Sequence, residues 1–316
     1  MEQAQALAER LRLWLSTDPM LQEHLITGSF GVASFPVHGF TAEEIIRVAD
    51  AGMYVSKHAG GDRVSLTDQP ESSESGALQR QLIAGYIEGF LHREHTGPEH
   101  LDELLGTLRK LSSEEAEDEE ESVQILREGI EALTRAAELR EINGAGHGEM
   151  VARYSELMAR ALGLSPEEAD DIAYAARVHD VGKIFVPERV LNKSGPLTDE
   201  EFYLVKMHAR VGGEIVGTLP ASELLQKAVE HHHESFDGTG YPGNLQGEQI
   251  PLGARILAVA DAYVNMTTER SFAPAKTSGQ ALAELERLSG IRYDGMLVRV
   301  LLRQLKTERA SSSFGS

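Results

Sequence analysis

Residues 175–183 read AARVHDVGK: an apolar helical stretch runs into His179 and Asp180, and Lys183 follows four residues after the histidine. Working outward, His147 lies 32 residues before His179 and His208 lies 29 after it. His232 and His233 come next, and Asp261 closes the set inside ILAVADAY (256–263). Imidazole nitrogens and carboxylate oxygens in this mixture suit first-row divalent metals, and an aspartate can bridge two ions because it has two oxygens. A lone histidine on a helix is usually a satisfied polar residue. Here, six of the twelve histidines, counting His231, fall within 147–233 and interleave with apolar helical stretches such as VARYSELMARAL and DDIAYAARV. Burying them together without metals would leave many polar nitrogens to satisfy, which is costly. The pattern points to a two-metal hydrolase.

Further motifs follow in order: the NKSGPLTDEE loop (192–201), MHARVGGEI (207–215) and HHESFDGTGYP (232–242). With HDVGK and ILAVADAY, they make the stretch from about Arg140 to Leu305 resemble the HD-GYP family, a branch of the HD-type metal-dependent phosphohydrolases. The resemblance implies a mainly α fold, an HD-type helical bundle that hydrolyses cyclic di-GMP to linear pGpG or GMP. It also implies the ligand set. One divalent metal takes His147, His179, Asp180 and Asp261; the other takes His208, His232 and His233, with Asp180 bridging. Iron or manganese is the family's usual choice, and a hydroxide held between the ions is the nucleophile. Some members hold a third metal through a glutamate four residues before the first histidine; Asn143 stands there, so two metals are expected.

For the substrate, the resemblance places Lys183 against a phosphate oxygen, Tyr241 and Pro242 as a wall for a guanine or the sugar-phosphate ring, and Arg270 on a phosphate. The alternative for DGTGYPG is a tight structural loop. Two positions depart from the family: Val264 replaces an acidic residue and Ala273 a basic one. They leave open a weak or inactive signalling protein that binds cyclic di-GMP or GGDEF-domain partners, and hydrolysis of another nucleotide.

The 316 residues are 41% hydrophobic, enough for two ordinary domains. No apolar run approaches a membrane span, and the first residues lack a secretory signal's basic start, so a cytoplasmic protein with no membrane partner is expected. The absence of cysteine excludes disulfides and thiolate metal sites. A net charge of −20 argues against nucleic acid as a partner and requires local cations for any anionic ligand.

Residues 1–66 read as helix, strand or hairpin, helix and short strand. Thr41 and Glu44 form an expected capping box and Gly60–Gly61 a stop. SFGVASFP, ADAGMYVSKHAG and GDRV resemble the C-terminal part of a GGDEF domain, without the signature turn or the nucleotide-binding half, so no cyclase activity is expected. Residues 67–139 read as a helical, acidic linker containing EEAEDEEE (114–121) and able to make a homodimer, 140–307 as the HD-GYP domain, and 308–316 as a flexible tail.

Overall fold

The computed structural model describes residues 2–18, 20, 27–40, 42–66, 74–92, 98–111, 119–142, 144–220, 222–269 and 274–313. Thr41, Asn143, Arg270, Ala273 and residues 314–316 of the tail lie outside the described residues.

The chain divides into two compact units. The first holds residues 1–92 and 114–132. It begins with helix α1 (Glu2–Thr17), strand β1 (Ser29–Val32), helix α2 (Ala42–His58) and strand β2 (Arg63–Leu66). The strands pair in parallel, Ser29 opposite Arg63 through Val32 opposite Leu66. A parallel pair needs a crossover, which α2 supplies; the hairpin alternative is therefore not what forms. Glu44 reaches back to accept the Phe40 backbone N–H at 2.8 Å. Helix α3 (Glu74–His92) and the first part of α5 (Glu119–Leu139) belong to this unit. Arg80 on α3 ties them in, pairing with Glu44 at 2.9 Å and Glu128 at 3.0 Å. The stretch 67–139 is thus shared between units, because helix α4 (Pro98–Leu111) and residues 133–139 fall in the second.

The second unit is helical. Helices α6 (His147–Ala161) and α7 (Pro166–Val178) pack side by side, and a 3₁₀ turn (Val181–Phe185) leads to the short α8 (Glu188–Leu191). Helices α9 (Asp199–Val216) and α10 (Glu223–Glu230) follow, then α11 (Leu252–Thr267), α12 (Ser278–Arg287) and α13 (Gly295–Ser313). Helix α11 is apolar on nearly every side and packs against α6, α7, α10, α12 and α13, as a helix hydrophobic all round must. Capping boxes start α7 (Ser165, Glu168), α9 (Thr198, Glu201) and α12 (Thr277, Gln280), fixing where each helix begins.

The 3₁₀ turn lies directly against α9. A Cβ on Gly182 would sit 2.1 Å from the His208 carbonyl oxygen and 2.8 Å from the Gly212 nitrogen. Both neighbours are helix backbone and cannot swing aside. Gly182→Ala should therefore destabilise the second unit by about 1–3 kcal/mol, the range for overpacking a tight contact. Thermal unfolding followed by circular dichroism checks this, and an unchanged midpoint would show that the turn has room to move.

Candidate metal centre

Helix α6 starts at His147 because Glu138 caps it from another segment. The Glu138 carboxylate accepts the Gly146 N–H at 3.2 Å and the Gly148 N–H at 2.9 Å, satisfying donors that a helix start leaves open. His147 Nε2 then lies 2.9 Å from Asp261 Oδ1, on the central helix α11. Asn265, one turn along α11, donates to the same oxygen at 2.8 Å.

His179 sits at the end of α7, His208 within α9 and His232 just past the end of α10. Each directs Nδ1 at a carbonyl three residues back: Ala176 at 2.7 Å, Val205 at 2.5 Å and Val229 at 2.6 Å. A carbonyl can only accept, so each Nδ1 carries the proton and a neutral ring presents a bare Nε2. The three Nε2 atoms point to one place. His208 Nε2 is 3.4 Å from His232 Nε2 and 3.2 Å from Asp180 Oδ1; His179 Nε2 is 3.3 Å from Asp180 Oδ2. The His233 ring completes the cluster, its centre 4.0 Å from that of His232 and 5.0 Å from that of His208.

Two overlapping groups of donor atoms result, each within 4.8 Å: Asp180, His208, His232 and His233 in one, His147, His179 and Asp180 in the other. Asp180 is common to both, and Asp261 joins the second through His147. The chemistry fits divalent ions. With both Nδ1 protons spent on backbone, His208 and His232 face each other with lone pairs, an arrangement that repels unless a cation lies between.

Electrostatics supports the same fit. Burial, helped by the neighbouring His233 and His179, holds the His232 pKa well below its ordinary value, and burial with His208 takes His233 down to about 3. Both rings stay neutral acceptors. Burial also disfavours a charged His179, but Asp180 and Asp261 outweigh it and push that pKa up to about 9. Burial alone would raise both carboxylates. His179 and Lys183 nevertheless hold Asp180 well below the usual carboxylate range, and His147 does the same for Asp261.

The four-residue spacing from His179 to Lys183 reads as one helical turn, but Lys183 is not on a continuing α-helix. The helix ends at Val178 and the 3₁₀ turn takes over, so residues three apart eclipse and Lys183 comes round beside Asp180. Its Nζ is 2.8 Å from Asp180 Oδ2 and 3.0 Å from Glu141 Oε1. Burial works against the ammonium, but those two carboxylates raise its pKa.

The Tyr241 ring centre stands 4.9 Å from that of His233 and packs edge-on to Phe202 of α9. Its loop is drawn tight: Glu234 accepts the Gly243 N–H at 2.6 Å and the Leu245 N–H at 3.1 Å. A Cβ on Gly240 would lie 2.2 Å from the Ser235 nitrogen, so that close approach needs glycine. Pro242 is exposed beside it. Val264 is buried in the helical core, and its neighbour Asn265 is the residue that reaches Asp261. A cavity of about 370 Å³ opens beside the cluster; its lining includes His232, His233, Asp261, Lys276, Arg292 and Tyr293. Glu138, Glu141, Glu234, Asn265, Lys276 and Arg292 went unread in the sequence. Only Asn265 carried a signal, its place four residues after Asp261.

Residues 124–297 match the family described as HD domain. Over 179 residues the chain is 40% identical to the cyclic di-GMP phosphodiesterase response regulator RpfG of Xanthomonas campestris pv. campestris, covering 56% of this chain and 47% of that protein. It is 37% identical over 179 residues to a cyclic di-GMP phosphodiesterase of Thermotoga maritima (56% and 48%). It is 38% identical over 173 residues to 3'3'-cGAMP-specific phosphodiesterase 2 of Vibrio cholerae (54% and 33%). The chain therefore spans half or less of the length of these relatives. Among the described residues, no helix is long and apolar enough to cross a membrane.

Two outcomes are expected. Asp180→Ala should lose both metals together, since it is the carboxylate common to both groups; elemental analysis of the purified variant would expose the error if two ions per chain remain. The second concerns pH. His179 has a folded-state pKa of about 9, above its ordinary 6.5, so at pH 7 the metal-free ring holds a proton that an incoming ion must displace. Metal affinity should climb about tenfold per pH unit from pH 7 and level off above about 9, as for release of one proton. Equilibrium dialysis against Mn²⁺ between pH 6.5 and 8.5 measures the slope, and a flat profile contradicts the assignment.

Proposed function

This chain belongs to the HD domain family, and from its site we infer that residues 140–307 form a metal-dependent phosphodiesterase that opens cyclic di-GMP to linear pGpG or GMP. The observation that carries the reading is Asp180, one oxygen facing His208 and the other His179, at the junction of two groups of ligand-type atoms. His147, His179, Asp180 and Asp261 would hold one divalent ion and His208, His232 and His233, with Asp180, a second. Iron or manganese suits this nitrogen and oxygen set. When bound, such ions lower the pKa of water and polarise a phosphoryl oxygen.

The chain's own groups do the rest. Asp180 and Asp261 remain ionised and offset the charge of the ions. Lys183, held beside Asp180, is placed to meet a phosphate oxygen brought to the cluster, where a fixed cation favours the charge that builds in the transition state. Tyr241 walls the site beside His233; burial, together with the Asp180 charge, raises its pKa, so the phenol stays neutral and can donate a hydrogen bond. A second reading, hydrolysis of 3'3'-cGAMP, draws on the relative named for that substrate.

The test is purified protein reconstituted anaerobically with iron or manganese, given cyclic di-GMP or 3'3'-cGAMP, with products resolved by chromatography. Turnover of the first supports the reading, and preference for the second replaces it. Binding without turnover would instead favour a signalling protein that contacts GGDEF-domain partners. Lys183→Ala should keep its metals, because it removes a positive charge next to Asp180, yet lower kcat roughly 100- to 1000-fold, as for loss of one electrostatic donor. Unchanged kcat would limit Lys183 to its ion pairs.

A further inference from the structure

We propose that Lys276 and Arg292, on the walls of the cavity beside the metal centre, form a second phosphate site that holds the phosphodiester not being cleaved. This rests on the cyclic dinucleotide reading above. Such a substrate carries two phosphates in one ring, and only one can lie at the metal cluster at a time. The other needs its own cation, because a chain of net charge −20 offers no favourable background field. Lys183, held beside Asp180 and Glu141, is placed for the phosphate at the cluster.

The cavity supplies what is missing. Its 370 Å³ lies within the range of small-ligand pockets, and His232, His233 and Asp261 line the side toward the cluster. Among the described residues, Lys276 and Arg292 are the cations that line it; both are exposed to solvent, and the Lys276 charge joins Arg287 in holding the Glu284 carboxyl below its ordinary range. The nearby guanidiniums are matched: Arg255 pairs with Asp294 at 2.7 Å and Arg287 with Glu284 at 2.6 Å. The three carboxylates on the cavity wall each have partners: Asp261 meets His147 and Asn265, Glu234 accepts two backbone N–H groups, and Glu284 pairs with Arg287.

Both cations are anchored through backbone. The Lys276 N–H donates to the Met266 carbonyl at 2.8 Å, at the end of α11, and the Arg292 carbonyl accepts the Phe236 N–H at 3.1 Å. Arg292 also lies 5.8 Å over the Tyr293 ring. Its planar guanidinium can grip two phosphate oxygens while Lys276 adds a point charge.

A contact to the uncleaved phosphate is equal in ground and transition states, so its loss raises KM and spares kcat. The experiment compares the full, metal-loaded chain with Lys276→Ala and Arg292→Gln on two substrates: cyclic di-GMP, and bis(p-nitrophenyl) phosphate, which has one phosphate only. Each variant should raise KM for cyclic di-GMP about tenfold or more, the loss of one charge-assisted hydrogen bond, with kcat within about twofold. Turnover of bis(p-nitrophenyl) phosphate and metal content should match the wild type, and Lys276→Arg should restore KM. Unchanged KM in both variants overturns the proposal, as do equal losses on the two substrates, which would place these residues in support of the metal centre. Failure of the underlying reading looks different: the wild type itself would cleave bis(p-nitrophenyl) phosphate and leave cyclic di-GMP intact.

Discussion

Three imidazoles have no choice of tautomer. His179, His208 and His232 each spend the Nδ1 proton on a backbone carbonyl three residues back, so Nε2 is the nitrogen each turns inward. For His179 and His232 helix ends make this possible, because the last carbonyls of α7 and α10 have no partner within the helix; His208 does so from within α9. The site depends on that constraint. Asp180 has to lie between the rings, and its two oxygens divide the cluster into halves that share one carboxylate.

Charge in this protein is organised locally against the overall balance. Burial keeps His232 and His233 neutral, while two buried carboxylates keep a proton on His179 until something displaces it. One of them, Asp180, also fixes Lys183, together with Glu141 from the segment before α6. That segment is itself secured, since Arg140 donates to the Ile184 and Val186 carbonyls and Asn192 accepts the Ile142 N–H. The 3₁₀ turn carrying Lys183 is thus held from two sides, by residues 140–142 and by α9.

The 232–245 loop joins metal centre to cavity. Its first residues are ligand-type histidines, its middle is pulled in by Glu234, and Tyr241 returns to stack near His233. Glycine in DGTGYPG serves this closure, since a Cβ on Gly240 would meet the Ser235 nitrogen, and the resulting tight turn sets the Tyr241 ring beside His233.

The ligand-type residues that gather in the cluster, the helical class and the helix, strand, helix, strand order of the first residues were legible in the sequence, because residue chemistry and periodicity are local. Spacing alone could not show that the two strands pair with each other in parallel, since pairing is a long-range choice. Nor could it show that helical geometry stops at Val178. Lys183 therefore gained its two carboxylate partners only in the folded chain, where a 3₁₀ turn eclipses it with Asp180 and α9 permits nothing larger than Gly182. The linker's division between two units was equally hidden, its helices being amphipathic whichever side they join. Lys276 and Arg292 are separated by a whole helix and carry no motif; packing of α11, α12 and the segment before α13 is what brings them to one cavity. Sequence determined which atoms could bind a metal, while tertiary structure decided where the remaining charges go, because an ion pair is settled by distance through space and not by distance along the chain.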